Sequence, residues 1–307
     1  MGISTSGIEV LLASKRRGVA FGKTVMIGRQ NVFVGRKELR QLLEKLGLAS
    51  DSALLQCVSK SGDYAEPLFR ALGANVVESM DASPYEGATI IHDMNLPVPN
   101  ELRDTFDIVY DGGSTEHVFN FPIALANLMH MARIGGHVMM AIPANNMMGH
   151  GMYQISPELL FRAFSKANGF RLNQVLLCEC RAINRWYQVI DPELIHGRGQ
   201  VTNRYGIVAY VEAIKVGPTP LQLAPIQQSD YSIQWKMGRE NAVKDHRLAR
   251  LDLLGSSALR QKLLEAFPGL VRAAERIHGT FFSRYNSLRN AENYRRISGP
   301  WSVGLED

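Results

Sequence analysis

The sequence predicts an α/β fold with a doubly wound, mostly parallel sheet, an antiparallel hairpin late in that sheet, and a helical region at the C-terminus. Short apolar runs alternate with helical patterns through the first half of the chain. Such alternation is typical of a parallel sheet that is covered by helices on both faces. Two later strand-like runs have no helical pattern between them, which favours an antiparallel pair.

The 307 residues have the composition of a globular protein, with 46% hydrophobic and 21% charged residues. This composition excludes disordered, collagen-like and coiled-coil chains. The net charge of +5 is a small excess that is compatible with an anionic partner. Three cysteines cannot all pair with one another, and no apolar window reaches the ~18 residues of a membrane span. We therefore expect a cytoplasmic protein that does not enter the membrane.

Five strands are predicted for the parallel part of the sheet, each a short apolar run beside glycine or turn residues. They cover residues 24–27, 75–80, 88–91, 107–110 and 137–142. The helical spacing of apolar residues predicts helices after Gly35, after a capping box at Asp63–Glu66, and from Phe121. A further apolar run covers residues 54–58.

The later part of the sheet is predicted from two longer strands. A helix begins at Ser156-Pro157-Glu158, where an N-cap, a helix-starting proline and an early acid coincide. The strand-like runs 171–180 and 206–215 are separated by the loop 191–203, which has no helical periodicity. We expect them to form an antiparallel hairpin at the edge of the sheet.

The composition changes after Val216 and divides the chain. Residues 1–216 are predicted to form the α/β domain, residues 217–237 a linker rich in Pro and Gln, and residues 238–307 a helical appendage. The basic residues of the appendage are spread over several helical faces without an aromatic stripe, so we expect no nucleic-acid binding. Its apolar faces are predicted either to cap the site or to form a homodimer contact.

Three predicted strands end with an acid at the same edge of the sheet. These acids are Asp81, then Asp93 after Ile91-His92, and Asp111 after Tyr110. Open α/β sheets bind ligands at the carboxyl ends of their strands, and an acid there can accept both hydrogen bonds of a ribose diol. Each acid alone could equally be a turn or capping residue. Together they predict a crevice lined with hydrogen-bond acceptors.

A longer set of motifs surrounds these acids. It comprises Asp81, Ile91-His-Asp93, Phe106-Asp-Ile-Val-Tyr-Asp-Gly-Gly-Ser-Thr-Glu-His-Val118, Arg133-Ile-Gly-Gly-His137 and Ala141-Ile-Pro143. In order and spacing this set resembles the Rossmann-like class I S-adenosylmethionine-dependent methyltransferases. The resemblance covers residues 20–215, and the region from Gly238 onward lies outside it.

The resemblance implies S-adenosyl-L-methionine as the cofactor, with Asp81 on its ribose and Asp93 on its adenine. It implies a transferase that moves a methyl group to an oxygen or nitrogen atom of an acceptor. The other residues that we assign to the cofactor site are Gly28, Gln30, Ala82, His92, Asp111, Gly112 and Gly113.

The turn after the first strand departs from the family pattern. Family members have an acid and a glycine-rich turn there, which lets the backbone approach the cofactor closely. This chain keeps Gly28 but has Met26 in place of the acid and Arg29-Gln30 in place of the later glycines. Either side chains such as Gln30 and Asn31, with the segment 36–60, rebuild the pocket, or the protein is a non-catalytic binding or scaffolding relative. The retained acids favour an active enzyme.

Methyl transfer needs alignment and, for a hydroxyl or amine acceptor, removal of a proton. The reaction requires no metal, and no Cys or His cluster has the spacing of zinc ligands. His117 and His150 are the candidate catalytic bases, since imidazole accepts protons near neutral pH; loop-fixing or capping hydrogen bonds are the alternative. The candidates for orienting a small polar acceptor, a sugar or an anion among them, are Glu116, Asn145, Asn146 and Tyr153.

Overall fold

The structure is a computed structural model that describes residues 2–181, 183–195, 198–237 and 287–303. The predicted helical region from residue 238 to residue 286 lies outside the described residues, as does the dimer contact or cap assigned to it. No helix in the described parts of the chain is long and apolar enough to cross a bilayer.

Seven helices and twelve strands are present in the described ranges. The helices are α1 Thr5–Arg16, α2 Arg36–Lys45, α3 Ser52–Gln56, α4 Glu66–Ala71, α5 Phe121–Met131, α6 Pro157–Ala163 and α7 Ser229–Met237. The strands are β1 Gly2–Ile3, β2 Lys23–Ile27, β3 Asn31–Val32, β4 Asp63–Tyr64, β5 Val76–Asp81, β6 Ile90–Ile91, β7 Phe106–Asp111, β8 Ala132–Asn145, β9 Phe170–Glu179, β10 Arg185–Val189, β11 Ile207–Lys215 and β12 Tyr294–Ile297.

The main sheet has nine strands in the order β12-β10-β9-β11-β8-β7-β2-β5-β6. The strands from β8 to β6 pair in parallel, and the pairs from β8 to β12 are antiparallel. Seven of these nine strands therefore run in one direction, with β11 and β10 reversed. The predicted Rossmann-like, doubly wound and mostly parallel sheet is confirmed, and its five predicted parallel strands are β2, β5, β6, β7 and β8.

Apolar residues on both faces of the parallel strands explain why helices cover the sheet on both sides. Val25 and Ile27 of β2 pack in one cluster with residues of α5 and α6. Met26, which lies between them, packs in a second cluster with residues of α1, α2, α3 and α4. Successive side chains of a strand point to opposite faces, so a strand that is apolar throughout needs a helical layer on each side.

The antiparallel part of the sheet is larger than the sequence predicted. β9 and β11 pair in antiparallel fashion as expected, with Val211 opposite Val175. They do not form the edge, because β11 lies between β8 and β9, and β10 and β12 continue the sheet beyond β9. The predicted position of this pair at the edge of the sheet is therefore wrong. The neighbours of a strand are residues that are distant in the sequence, and the local pattern of apolar residues does not identify them.

Three further elements differ from the sequence prediction. The capping box at Asp63–Glu66 is absent, because residues 63–64 form β4 and the Asp63 carboxylate accepts the backbone N–H groups of Ser59 and Lys60 (both 2.9 Å). The predicted linker 217–237 contains α7. The predicted helical appendage contributes a strand, β12, whose Tyr294 is opposite Val189 of β10.

The N-terminal helix α1 was not predicted as a helix, although its apolar stretch was visible. Ser4 is its N-cap and accepts a hydrogen bond from the backbone N–H of Gly7 (3.5 Å). Ser6 Oγ lies 2.8 Å from the hydroxyl of Tyr210 on β11, and Trp186 on β10 donates to Glu9 (3.1 Å). These buried contacts attach α1 to the antiparallel half of the sheet.

Candidate active site at the carboxyl edge of the sheet

The turn after β2 is held closed by the side chain of Gln30. Gly28 has a φ of 68°, and its N–H donates to the carbonyl of Met80 at the end of β5 (2.7 Å). The Gln30 side chain is fully buried, and its amide group donates to the carbonyl of Ile27 (2.5 Å) and to Ser114 Oγ (3.0 Å). The amide thus joins the turn after β2 to the turn after β7. Gln30 stands in the turn after β2, where the methyltransferases that the sequence resembles have glycines.

Gly112 and Gly113, which follow β7, allow this close approach. A Cβ atom on Gly112 would lie 2.6 Å from Gln30 Oε1, a buried atom that has no hydrogen-bond partner. Gly113 has a φ of 94°, and a Cβ atom there would lie 3.1 Å from Glu116 Oε1. Glycines are therefore favoured at both positions, because the side chains of Gln30 and Glu116 occupy the adjacent space.

Arg29 extends from the same turn toward the loops that flank β5. Its guanidinium forms an ion pair with Glu66 (2.7 Å), donates to the carbonyl of Glu86 (2.8 Å) and lies 3.8 Å from the ring centre of Tyr64. These contacts fix the loop after β5 relative to the turn after β2. Arg29 was not predicted to have this role, although its position in place of a glycine was the available signal.

The two acids predicted to bind the cofactor lie at the ends of neighbouring strands, β5 and β6. Asp81 is half-buried and accepts the backbone N–H of Ser83 (3.2 Å), while the adjacent Ala82 is exposed. Asp93 is exposed and accepts two hydrogen bonds from Asn95 (both 2.9 Å), which lower the pKa of its carboxyl group. His92, between the strand and Asp93, donates through Nε2 to the carbonyl of Leu96 (3.0 Å).

The third acid, Asp111, is used inside the protein. It is fully buried and accepts the backbone N–H of Ser114 (2.7 Å) as well as the hydroxyl of Thr115. Burial raises the pKa of Asp111, and these hydrogen bonds oppose that shift. The alternative interpretation of Asp111 as a turn-forming residue therefore describes its observed contacts. Its predicted contact with a cofactor stays a prediction.

Glu116, His117 and His150 come together at this edge. Glu116 and His117 lie in the 3-10 helix Thr115–His117, and His150 lies in the loop after β8. Glu116 Oε1 is 3.5 Å from Nε2 of His150 and 3.9 Å from Nε2 of His117. The two imidazole rings have their centres 5.6 Å apart. The predicted pair of histidines is thus brought together around a buried carboxyl group.

The cluster has an unusual electrostatic environment. Burial, followed by the nearby Asp111 carboxylate, raises the pKa of Glu116 to about 8. Burial and the neighbouring His150 lower the pKa of His117. A lowered pKa keeps the imidazole of His117 neutral at physiological pH, and a neutral imidazole can accept a proton.

The loop after β8 is positioned by the residues predicted to orient an acceptor. The side-chain amides of Asn145 and Asn146 both donate to Asn203 Oδ1 (3.0 and 2.9 Å), and the Tyr153 hydroxyl donates to the carbonyl of Phe119 (2.7 Å). These donors are engaged within the chain, as the loop-fixing alternative describes. Their predicted contact with an acceptor stays a prediction.

Gly151 was missed by the sequence analysis. It has a φ of 82°, and a Cβ atom there would lie 2.6 Å from Glu116 Cγ. The N–H of Met152 donates to the backbone carbonyl of Glu116 (2.8 Å). A glycine directly after a candidate catalytic histidine was the available signal.

The described residues line two clefts, one away from this edge and one that borders the turn after β2. One, of about 490 Å³, is lined by residues that include Arg17, His137 and Glu212 near the opposite edge of the sheet. The other, of about 590 Å³, lies beside α4 and is lined by residues that include Arg29 and Tyr64. Neither includes Glu116 or the histidines of the cluster.

Comparisons with known proteins return solved structures at low sequence identity. No protein-family model matches the sequence, and no curated protein is significantly similar to it. A proposed methyltransferase from Bacillus halodurans is 12% identical with a TM-score of 0.37, over 68% of this chain and 99% of that one. N-methyltransferase NodS from Bradyrhizobium japonicum, solved with S-adenosyl-L-homocysteine, is 13% identical with a TM-score of 0.34, over 67% and 83%.

A third similar structure has a different kind of activity. The branched-chain polyamine synthase from Thermus thermophilus, solved with N4-aminopropylspermidine and 5'-methylthioadenosine, is 12% identical with a TM-score of 0.34. The match covers 71% of this chain and 57% of the synthase. At these identities the similarity is limited to the fold.

Proposed function

We propose that this protein is an S-adenosylmethionine-dependent methyltransferase that acts on an oxygen or nitrogen atom of a small polar acceptor. The observation that carries the proposal is the arrangement at the carboxyl edge of the sheet. Asp81 and Asp93 follow β5 and β6, and the Glu116–His117–His150 cluster follows β7 and β8. Ligands of open α/β sheets bind at this edge.

The residues at this edge fit the cofactor. Asp81 is partly accessible and would accept the hydrogen bonds of the ribose diol, and Asp93 would face the adenine. When bound, the cofactor supplies a methyl group that is already activated by a positively charged sulfonium.

The chain's own residues would then align the acceptor and receive its proton. His117 is about half exposed and has a lowered pKa, so its imidazole suits proton removal from a hydroxyl or amine group near neutral pH. Exposed apolar side chains in the same two loops, Phe119, Met148 and Met152, offer a wall for the acceptor.

One observation favours the alternative, a non-catalytic binding or scaffolding protein. The buried amide of Gln30 occupies the turn where the family has an open, glycine-rich backbone. A closed turn leaves less room for the methionine end of the cofactor.

Calorimetric titration of the full chain with S-adenosylmethionine, and separately with S-adenosylhomocysteine, distinguishes the two functions. We expect saturable one-to-one binding of both ligands. Absence of detectable heat at millimolar ligand, with the protein shown to be folded by circular dichroism, would refute the methyltransferase and leave the binding or scaffolding function.

A further inference from the structure

The Glu116 carboxyl group is buried but lacks hydrogen-bond partners. Its side chain is fully inaccessible to solvent, and neither Oε1 nor Oε2 has a hydrogen-bond partner among the residues that the structure describes. Burying a carboxyl group without a partner is costly, and buried charges are normally paired or bound to a metal. Among the described residues neither oxygen has a hydrogen-bond donor, and the Nε2 atoms of His117 and His150 lie 3.9 and 3.5 Å from Oε1.

Two imidazole nitrogens face the same carboxylate. One ligand atom from each of Glu116, His117 and His150 can be chosen so that all three lie within 4.8 Å of one another. Atoms that are each about 2.1 Å from a tetrahedral ion are about 3.4 Å apart. The 3.5 Å and 3.9 Å separations of the histidine nitrogens from Oε1 are close to that spacing.

The backbone around the cluster keeps the carboxylate in place and leaves the histidines adjustable. Gly113 and Gly151 lie against the Glu116 side chain at distances that exclude a Cβ atom or leave it little room. The imidazoles of His117 and His150 are 45% and 53% exposed. A fixed, buried carboxylate and two half-exposed imidazoles can close around an ion with small side-chain rotations, while the solvent side remains open.

We propose that Glu116, His117 and His150 form a binding site for one divalent transition-metal ion, with Zn²⁺ the best fit to the donor set. Two imidazoles and one carboxylate are donors that suit zinc and its neighbours in the first transition row. Three protein ligands leave a coordination position for water or for an oxygen atom of an acceptor, as in catalytic zinc sites. An ion bound through Nε2 of His117 would make that imidazole a ligand in place of the base assigned above, and the site would then select acceptors that carry an oxygen donor. This selection rests on the proposed function, whereas metal binding itself does not.

The sequence alone did not indicate this site. Glu116 and His117 are adjacent, but α5 and β8 separate them from His150, so no ligand spacing is recognisable. The loop after β8 returns to the 3-10 helix only in the folded chain.

The test is titration of the full chain, first freed of metal with a chelator, with ZnCl₂ by calorimetry and with CoCl₂ by visible absorption. Neither measurement requires S-adenosylmethionine, so its result is separate from that of the cofactor titration. We expect one high-affinity ion per chain and a cobalt spectrum without a thiolate charge-transfer band. E116Q and H150A should each weaken Zn²⁺ binding by at least about 10-fold, as expected for removal of one of three ligands.

Two controls keep the outcome decisive. C180S removes the exposed thiol of Cys180, a competing ligand for Zn²⁺, and should leave the binding unchanged. H150A alters a half-exposed side chain and should keep the fold, which thermal unfolding checks, even if E116Q does not. Absence of saturable binding, unchanged affinity in H150A, or a thiolate band that C180S removes would each overturn the proposal.

Discussion

The side-chain amide of Gln30 donates to Ser114 Oγ across 3.0 Å, and both groups also donate to the backbone carbonyl of Ile27. This three-way contact joins the ends of β2 and β7, which are neighbours at the centre of the sheet. The turns after β2 and β7 are thus connected by side-chain hydrogen bonds. The candidate site is built on this contact.

Replacing Gln30 with alanine should destabilise the protein by about 1–3 kcal/mol, since buried partners lose their hydrogen bonds. N31A is the matched control, because the amide of Asn31 makes one exposed hydrogen bond, to the carbonyl of Gly62 (2.9 Å), and should cost less than about 1 kcal/mol. Urea denaturation measures both variants. Equal losses of unfolding free energy in Q30A and N31A would contradict the assigned role of Gln30.

Replacing Asp81 with alanine should weaken S-adenosylmethionine binding by at least about 100-fold. The predicted role of Asp81 is to accept two hydrogen bonds from the ribose, and hydrogen bonds to a charged group contribute about 1.5–3 kcal/mol each. Calorimetry measures the affinity. D107N is the control: Asp107 lies near the opposite end of β7 and pairs with Arg133, so this variant should bind S-adenosylmethionine with normal affinity. An unchanged affinity in D81A would mean that the ribose is bound elsewhere.

Glu212 should make stability depend on acidity. Its carboxylate on β11 pairs with Arg17 (2.6 Å) and accepts from Asn173 (2.8 Å). Burial acts to raise the pKa of Glu212, but Arg17 and the hydrogen bonds lower it overall. A lowered pKa in the folded state stabilises the protein above the unfolded value of about 4.5, and this contribution is lost as the pH falls through the folded value.

E212Q should therefore reduce the free energy of unfolding at pH 7 by about 1–3 kcal/mol, and the difference from wild type should shrink below about pH 4.5. Denaturation curves at several pH values measure this. E38Q, which changes an exposed acceptor of Thr5, should stay within about 0.5 kcal/mol of wild type. If the difference in unfolding free energy between E212Q and wild type grew as the pH fell, the pKa of Glu212 would be raised in the folded state and not lowered.

Two buried tyrosines should respond in opposite ways to loss of the hydroxyl group. Within the described parts of the chain, the buried Tyr294 hydroxyl on β12 has no hydrogen-bond partner, so Y294F should be neutral or stabilising by up to about 1 kcal/mol. The Tyr210 hydroxyl is hydrogen-bonded to Ser6 (2.8 Å), so Y210F should destabilise by about 1 kcal/mol. Thermal unfolding measures both, and a clear loss in Y294F would mean that its hydroxyl has a partner in solution.

The parallel half of the fold could be predicted because its signals are local. The apolar runs around Val25 and Val109 are bounded by turn residues, and the acids that follow the strands mark the carboxyl edge. The antiparallel extension could not be predicted in this way. β10 is a strand because it pairs with β9 on one side and β12 on the other, and such partners are distant in the sequence.

The candidate site shows the same division. The sequence by itself determined which residues reach the carboxyl edge, since Asp81 and Asp93 follow predicted strands closely and Glu116 and His117 lie in the turn after the predicted strand 107–110. Only the tertiary structure decided that the Gln30 amide points inward and that Nε2 of His150 lies 3.5 Å from the buried Glu116 carboxyl group. Local sequence pattern sets where a strand ends, whereas the direction of a side chain and the partner that it meets depend on the packing of segments that are far apart in the chain.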